Sequence, residues 1–433
     1  MKKYDSYKDS GVDWIGIIPN HWRIGKIKYS DLVIMGQSPL SDECNSDGVG
    51  LPFLQGNAEF GFLNPIPKLY CETANKTAKP NDVLLSVRAP VGAINIANEK
   101  VGIGRGLCAV RPIKSNTKFI YYWLLKSVEE LDSISTGSTF KAVNLDDVKS
   151  LNFPIIDYLE QTTIANFLDH KTAQIDDLIA KKERLIQLLE EERTAIINQA
   201  VTKGLDPNVP MKDVNVEGLD KIPNHWRLMK FKWVAPIITC GLASTPEYVD
   251  ESIGMPFLSA QNVKNNRMRL DNYKFIPIEL HEKLTKHRKP INGDILVTRV
   301  GAGIGDACIV DCEFEFSVYV SLTHIRVDTS LVNNKFIMYF FNTDYCKYLN
   351  SQGTVTGGGV GNLNVNNVER YKLPIPSLEE QNIIVDSIER NNEKFNNLTS
   401  KLEKEIEFLN EYKTALISEV VTGKVDVRNE KLN

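Results

Sequence analysis

The sequence has no apolar run long enough to cross a membrane. A bilayer-spanning helix needs about 18 or more apolar residues in succession, and none occur among the 433 residues. Residues 1–8 are polar with no apolar stretch behind them, so we expect no secretory signal. The seven cysteines are scattered and odd in number, which favours free thiols in a reducing compartment over a disulfide framework. We therefore expect a cytoplasmic protein.

The motifs of enzymes that act on nucleotides or nucleic acids are also missing. The glycines of 299–306 do not have the spacing of a dinucleotide-binding loop, and no Walker loop, helicase motif or nuclease carboxylate–lysine cluster occurs. Asn-Phe-Pro-Ile at 152–155 lacks the second proline and the aromatic residue of an amino-methyltransferase motif. Cys308 and Cys312 are the only closely spaced cysteines, so we expect no zinc site. These features predict a chain that is not itself an enzyme.

An excess of positive charge is absent from the chain as a whole, whose net charge is −4. The charge is unevenly distributed, however. Residues 1–153 and 205–373 carry 18 and 19 basic residues against 16 and 18 acidic ones, a net charge of +3. Residues 154–204 and 374–433 carry 6 and 8 against 9 and 12, a net charge of −7. The whole-chain charge therefore does not exclude nucleic-acid binding, and the small local excess does not prove it.

What the sequence does contain is an internal repeat. Ile-Pro-Asn-His-Trp-Arg at 18–23 recurs unchanged at 222–227, with matches at the same offset of 204 on both sides. From residue 136 onward the offset is 220, so that Glu160 corresponds to Glu380. The second copy thus holds about 16 extra residues in its middle. Ordered matches over half of a chain indicate a duplicated unit.

Each copy begins with a mixed α/β part and ends with a helical part. Short β-branched runs interrupted by Gly, Pro and Asn predict strands and turns, and amphipathic helices are predicted near 119–131 and 336–349. Long stretches without Pro or Gly predict helices that end at Gly204 and Gly423. The predicted domains are a first head at 1–153, a first spacer at 154–204, a second head at 205–373, and a second spacer with the C-terminal tail at 374–433.

The two predicted long helices carry apolar residues at coiled-coil spacing. Because one seam cannot bury itself, we expect the two helices to pack together, and antiparallel, since the second head follows directly after the first helix. A helix over 171–203 would be about 50 Å long at 1.5 Å per residue. The fold class is therefore α+β, two mixed α/β domains separated by two antiparallel coiled-coil helices in a pseudo-two-fold repeat. The predicted seam is Ile175, Leu178, Leu185, Leu189, Ile196, Phe395, Leu398, Leu402, Leu409 and Leu416.

Two similar heads at a fixed separation suit double-stranded DNA, because the spacer then sets the distance between two half-sites. A separation of about 50 Å corresponds to roughly 15 base pairs. The heads differ at most positions outside their shared framework, so each should read a different short sequence. The predicted target is therefore bipartite and asymmetric.

Four framework phrases carry a family resemblance: SGVDWIGIIPNHW at 10–22, TKGLDPNVPMKD at 202–213, PSLEEQ at 376–381 and TALISEVVTGKVDV at 414–427. In this order they resemble the specificity subunit of type I restriction–modification enzymes, over essentially the entire chain. The resemblance implies that the heads are target recognition domains and that the helices are spacers. It also implies two methyltransferase subunits and further restriction subunits as partners, which would bind S-adenosylmethionine, ATP and magnesium, whereas this chain would hold no cofactor.

DNA recognition needs Arg and Lys for phosphates and Arg, Asn or Gln for base edges. Residues 255–300 hold nine basic residues against four acidic ones, the most basic segment of the chain. Taken singly, each candidate is better interpreted as solvated surface, whereas the cluster at 264–299 as a whole is better interpreted as a binding surface. The DNA-binding candidates are Gln55, Asn57, Arg88, Arg105, Ser138, Thr139, Lys141, Gln261, Asn262, Lys264, Arg267, Arg269, Lys286, Arg288, Arg299 and Thr356.

Other conspicuous residues have structural interpretations. Trp22 and Trp226 are predicted core anchors, and the histidines beside them are predicted to be structural. Asp82 and Asp294 begin strands and are predicted turn residues. Two other functions stay open: recognition for a methyltransferase-only or two-sided-cutting system, and a coiled-coil scaffold that binds proteins.

Overall fold

The computed structural model describes residues 2–39, 43–134, 142–301, 303–357 and 360–431. Contacts within the chain divide it into two compact units, each containing one head and part of both long helices. Unit 1 comprises Met1–Lys182 and Glu403–Asn433, and unit 2 comprises Glu183–Leu402. The predicted domain boundaries, which assign each long helix to its own spacer, stay predictions.

The head of unit 1 is built mainly on two sheets. Its strands are β1 (Tyr7–Asp9), β2 (Ile17–Pro19), β3 (Arg23–Lys26), β4 (Leu32–Met35), β5 (Cys44–Asn45), β6 (Leu51–Leu54), β7 (Leu69–Cys71), β8 (Thr77–Ala78), β9 (Val83–Ser86), β10 (Ile94–Ile96), β11 (Val101–Ile103), β12 (Leu107–Arg111) and β13 (Asn152–Ile155). One antiparallel sheet has the order β10-β9-β12-β4. The other has the order β5-β7-β6-β11-β8, in which β6 and β11 are parallel. Two antiparallel pairs, β1 with β2 and β3 with β13, complete the head.

Helices of unit 1 cover the first sheet. They are α1 (Thr117–Lys126), α2 (Val128–Ile134), α3 (Leu145–Lys149) and the first long helix, α4 (Tyr158–Lys203), which continues into unit 2. The helix predicted near 119–131 is confirmed in its position, but it is divided into α1 and α2 at Ser127. Asn116 caps the start of α1 by accepting from two backbone N–H groups, and α1 ends at Ser127, whose hydroxyl donates to the Trp123 carbonyl at 2.8 Å.

The head of unit 2 repeats this plan. Its strands are β14 (Met211–Val216), β15 (Leu219–Pro223), β16 (Arg227–Lys230), β17 (Ile237–Cys240), β18 (Gly254–Leu258), β19 (Val263–Lys264), β20 (Arg267–Met268), β21 (Lys274–Pro277), β22 (Ile295–Thr298), β23 (Ala307–Ile309), β24 (Ser317–Val318), β25 (Leu322–Arg326), β26 (Thr354–Gly357), β27 (Val360–Leu363) and β28 (Lys372–Ile375). The antiparallel sheet β23-β22-β25-β17 has the strand order of its counterpart in unit 1. The sheet β21-β18-β24 likewise contains one parallel pair, β18 with β24. The duplication read from the sequence is therefore a duplication of topology.

The helices of unit 2 are α5 (Ile278–Thr285), α6 (Asn334–Phe341), α7 (Asp344–Gly353), α8 (Val365–Val368) and the second long helix, α9 (Leu378–Val421), which continues into unit 1. The helix predicted near 336–349 is likewise confirmed in its position but divided, into α6 and α7. Thr343 lies at the break, and its hydroxyl accepts from the Cys346 N–H. Such a local side-chain bond favours a new helix start over a continuous helix.

The long helices end where the sequence predicts. Gly204 follows α4 with a φ of +81°, and Gly423 lies just past α9 with a φ of +72°. This left-handed conformation suits glycine and ends helices. Within unit 1 the helices run antiparallel, because Asp176 and Lys182 of α4 pair with Lys413 and Glu405 of α9, in reverse order. The antiparallel pairing is thereby confirmed within unit 1.

Part of the predicted seam is shifted by one residue in the structure. Ile175, Leu189, Leu402 and Leu416 are buried, and Ile196, Phe395 and Leu409 are half-buried. In contrast, Leu178, Leu185 and Leu398 are each more than 40% exposed. The intervening seam positions are instead Ile179, Ile186, Thr399 and Ile406, which are half-buried. Leu178 and Ile179 are both apolar, as are Leu185 and Ile186, so periodicity alone could not choose between steps of three and four residues.

A glutamate joins each head to its long helix, buried in unit 1 and half-buried in unit 2. The Glu160 carboxylate accepts from Trp22 Nε1 at 3.1 Å and from the Tyr4 hydroxyl at 2.8 Å, and it contacts His21 Nε2 at 2.9 Å. In unit 2 the equivalent Glu380 accepts from Trp226 Nε1 at 3.0 Å and contacts His225 Nε2 at 2.9 Å. Both tryptophans are fully buried, as expected for core anchors, and these contacts agree with a structural role for the histidines.

Asp82 and Asp294 are more than turn residues. Each is buried and accepts from a backbone N–H three residues earlier, as in a turn. Each also forms a buried ion pair, Asp82 with Arg111 at 2.8 Å and Asp294 with Arg326 at 2.8 Å. Burial would raise the pKa of Asp294, but hydrogen bonds from Arg326 and His324 outweigh it and hold that pKa below its ordinary value.

Candidate nucleic-acid interface

Three candidates of the first head lie close together. The Val87 N–H donates to the Gly106 carbonyl at 2.9 Å, which brings the exposed Arg88 beside the exposed Arg105. A side chain at Gly106 would lie 2.6 Å from the Gln55 carbonyl oxygen, so Gln55 borders the same place. The structure therefore brings an exposed amide and two exposed guanidinium groups to one edge of the two sheets. Asn57 follows in a short 3-10 turn and is half-buried.

The loop candidates Ser138, Thr139 and Lys141 lie outside the described residues. The chain re-enters the described part at Ala142, which forms a β-bridge with Arg88. Thr356 lies in β26, opposite Gly361 of β27. The backbone at Thr356 is therefore extended and paired with a neighbouring strand.

Arg299 is wrong as a DNA contact. It is 8% exposed, and its Nε donates to the Leu363 carbonyl at 3.0 Å. Its counterpart in the first head is the buried Val87, because the N–H of Arg299 donates to the Ser321 carbonyl as that of Val87 donates to the Gly106 carbonyl. The exposed Arg88 is one residue further on, and successive residues of a strand point to opposite faces.

Asn262 is wrong for a similar reason. It is 1% exposed, and its side chain is fully used within the head. Its Oδ1 accepts from the Ser259 N–H at 2.9 Å, and its Nδ2 donates to the carbonyls of Arg269 and Asn272, both at 2.8 Å. It therefore shapes the turn and has no group left to read a base. Its neighbour Gln261 is exposed.

The basic segment of the second head is divided between two places. Lys264, Arg267 and Arg269 are exposed and lie in or beside the hairpin β19–β20. Asn265 and Asn266 form its tip with φ values of +52° and +61°, the left-handed pair that a tight hairpin turn requires. The exposed Lys286 and Arg288 lie beyond α5, and Arg288 lines a separate cavity.

A cleft of about 1020 Å³ lies between this hairpin and α4. It is lined by five cationic side chains against two carboxylates: Arg193, Lys264, Arg267, Arg269, Lys347, Glu190 and Asp306. Burial raises the pKa of Asp306, although the nearby lysines Lys264 and Lys347 act to lower it. Lys347 and Arg193 were missed from the sequence, because only the fold brings them beside the hairpin. The sequence signal for this hairpin was Asn-Asn at 265–266, between Lys264 and Arg267, a pair that predicts a tight turn.

Unit 1 has an equivalent cleft with a different character. Its hairpin tip, closed by the Gly61 N–H donating to the Asn64 carbonyl at 3.1 Å, carries Phe62, which is 87% exposed. The cleft of about 870 Å³ is lined by this phenylalanine and by Tyr121 and Lys413, among others. Lys413 of unit 1 corresponds to Arg193 of unit 2 by the offset of 220. The framework is thus shared, whereas the hairpin tips differ in chemistry.

Within the described residues, no group of three or more His, Cys, Asp or Glu side chains is placed to hold a metal ion. No described helix has both the length and the apolar character needed to cross a bilayer.

Comparison with known proteins gives consistent matches. The family described as "Type I restriction modification DNA specificity domain" matches residues 25–190 and 223–408. The putative type I restriction enzyme MjaX specificity subunit of Methanocaldococcus jannaschii is 38% identical over 205 residues, which is 46% of each chain, so this match spans about half of that relative. The MjaIX specificity subunit of the same organism is 25% identical over 95% of each chain.

A solved chain from a study of complex assembly and conformational transition of the type I R-M system is similar in fold. It matches 94% of this chain and 99% of its own length with a TM-score of 0.72 and 15% identity. This likeness agrees with the predicted fold class.

Proposed function

The chain belongs to the family of type I restriction–modification DNA specificity domains, and from this premise we propose that it reads the DNA target of a type I restriction–modification complex. One observation carries the proposal: a single head topology occurs twice with the same sheet order, while the exposed hairpin tips differ. A duplicated framework positions two readers, and different surfaces give them different targets. The target is therefore bipartite and asymmetric.

Each head contributes a distinct set of contacts. In the second head the cations of the hairpin β19–β20 bind phosphates and fix the register on the duplex. The exposed Gln261 shortly precedes this hairpin in the sequence, so its amide contacts a base edge beside those phosphates. In the first head, Gln55, Arg88 and Arg105 lie together, which combines an amide for base edges with two guanidinium groups.

Methylation and cleavage are assigned to partner subunits. The framework that joins head to helix occurs twice, so one kind of methyltransferase subunit can dock twice, and restriction subunits join that assembly. S-adenosylmethionine, ATP and magnesium then belong to those partners, and this chain is a non-catalytic subunit. We place it in the cytoplasm, where its DNA is.

Two alternatives remain distinguishable. A methyltransferase-only or two-sided-cutting system would use the same recognition chain, and the absence of a neighbouring translocase-nuclease gene would favour it. A protein-binding scaffold would show no sequence-selective, salt-dependent DNA binding, because phosphate contacts release counterions.

The test measures DNA affinity against salt for the chain assembled with its methyltransferase partner. Arg267→Gln removes one hairpin cation, and Lys274→Gln removes one exposed cation of the neighbouring strand β21. We expect Arg267→Gln to lower the slope of log K against log salt by about 0.9, the value for one phosphate contact, and Lys274→Gln to leave it unchanged. A wild-type complex that prefers no sequence would contradict the proposed function.

A further inference from the structure

A second cavity in unit 2 lies apart from the hairpin cleft. It has a volume of about 380 Å³, between the end of α5, the segment that follows it, and the strands β17, β24 and β25. This volume lies within the range of about 300–1,000 Å³ that is usual for ligand sites.

The lining of this cavity is cationic. Lys283 and Arg288 line it together with His287, and no Asp or Glu is among the described residues around it. The Arg288 guanidinium donates to the Thr239 hydroxyl. That partner is neutral, so the charge of the guanidinium is not compensated there. An anion is the ligand that such a lining favours.

His324 adds a buried polar atom without a partner. It lines the same cavity and is fully buried. Its Nε2 lies 2.7 Å from the Asp294 carboxylate, and the lowered pKa of Asp294 keeps that carboxylate ionised as an acceptor. Its Nδ1 is buried and has no hydrogen-bond partner among the described residues. Buried polar atoms are nearly always paired. Because Nε2 donates to Asp294, Nδ1 is an acceptor in the neutral ring, so the partner it lacks is a donor such as a water or a protonated phosphate oxygen.

The cavity belongs to one head only. Between β7 and β9 of unit 1 the chain forms the short strand β8 and no helix, whereas between β21 and β22 of unit 2 it forms α5. Lys283 lies in α5 and Arg288 follows it. The shared framework therefore does not need these cations, and a function specific to the second head explains them.

We propose that this cavity binds a phosphate group, held by Lys283 and Arg288. A backbone phosphate of DNA and the phosphate of a free nucleotide share this chemistry. The DNA source rests on the proposed function, whereas the nucleotide source does not. Arg presents a planar fork that matches phosphate oxygens, and Lys supplies a point charge beside it.

The experiment compares two double variants in the assembled complex. Lys283→Gln/Arg288→Gln removes both cavity cations, and Lys394→Gln/Lys401→Gln removes two exposed cations of α9 that do not line the cavity. If the phosphate is that of DNA, the first variant loses about eightfold in affinity at 0.1 M salt with a slope lower by about 0.9, as expected for one contact. The second variant keeps the wild-type slope.

A second experiment tests whether the cavity binds a free phosphate or the phosphate of a free nucleotide. Inorganic phosphate and AMP are titrated against the complex without DNA, followed by ³¹P NMR. Saturable binding that the first double variant loses and the second keeps supports the proposal, and competition with DNA assigns the site to the backbone. Lys283→Arg/Arg288→Lys keeps both charges and should restore binding, which separates a lost contact from a folding defect. Equal DNA slopes and equal phosphate binding in both Gln variants would overturn the proposal, while sequence-selective binding by the wild type would leave the proposed function intact.

Discussion

The contact between Glu160 and the first head gives the sharpest stability prediction. Glu160→Ala removes the acceptor of two buried donors, the Trp22 indole and the Tyr4 hydroxyl, which are 0% and 5% exposed. Burial and the neighbouring carboxylate raise the pKa of Tyr4, so its hydroxyl stays a donor at neutral pH. Glu380→Ala in the second unit removes the acceptor of one indole, Trp226.

The magnitude follows from counting buried donors. A buried donor left without a partner costs about 1–3 kcal/mol, so Glu160→Ala, which leaves two donors without a partner, should cost about 2–6 kcal/mol in the free energy of opening unit 1. Glu380→Ala should cost about half as much in unit 2. His21 and His225 are about half exposed, so water replaces their lost contacts and they are not counted. Glu160→Gln keeps one carbonyl oxygen that can accept from one of the two donors, so it should cost about half as much unfolding free energy as Glu160→Ala.

Native-state hydrogen exchange measures opening of each unit separately. In Glu160→Ala the protected amides of β9 and β12 should exchange faster, while those of β22 and β25 keep their wild-type rates. Glu380→Ala should show the reverse with a smaller change. Equal effects on both units, or a larger cost for Glu380→Ala, would refute this account of the anchor.

Two further predictions concern the helix seam and the buried carboxylate. Ile179→Ala should cost about 1–2 kcal/mol in unfolding free energy, because Ile179 packs against the core of unit 1. The exposed Leu178 should matter less, so Leu178→Ala should change the unfolding free energy by less than about 0.5 kcal/mol. Denaturant unfolding that ranks the two variants in the opposite order would support the seam expected from the sequence. Asp294→Asn should destabilise unit 2 at neutral pH, because the folded pKa of Asp294 lies below its unfolded value. The stability that the ionised Asp294 contributes is present above the unfolded pKa of about 3.9 and is lost as pH falls through the folded pKa. The difference in unfolding free energy between Asp294→Asn and wild type should therefore shrink below about pH 4. A difference that stays constant down to about pH 2 would contradict the ion pair.

The repeat was readable from the sequence because a duplicated framework keeps the same residues where the same contacts recur. Pro-Asn-His-Trp and Glu-Gln each occur twice, and in both units the tryptophan donates to the glutamate. The helix ends were readable because glycine suits the left-handed conformation that ends a helix. Local chemistry decided both features.

The errors arise where side chains compete for one position. Leu178 and Ile179 are equally suited to a seam, and only packing against α9 selects Ile179. Arg299 was a DNA-binding candidate by residue type, but the backbone places it one residue before the position equivalent to Arg88, with its side chain buried. Asn262 looked like a base reader, but its amide closes a turn. None of these choices is encoded in the residue type itself.

The cleft and the cavity of unit 2 depend on contacts between residues distant in sequence. Lys347 of α7 lines the same cleft as Lys264, and His324 of β25 lines the same cavity as Lys283 of α5. The local excess of basic residues pointed to the correct segment. It did not show that the basic side chains of this segment line two separate sites, the cleft and the cavity.

DNA methylation should be mapped in a host that expresses this chain with its neighbouring methyltransferase gene, because the pattern of methylated sites reports directly which subunit reads the sequence. We expect methylation at one bipartite, asymmetric motif with a degenerate gap, and its loss when the gene for this chain is deleted. Replacing the first head should change one half of the motif and leave the other half. Methylation that persists unchanged at the same motif without this chain would contradict the account, because sequence recognition would then lie in another subunit.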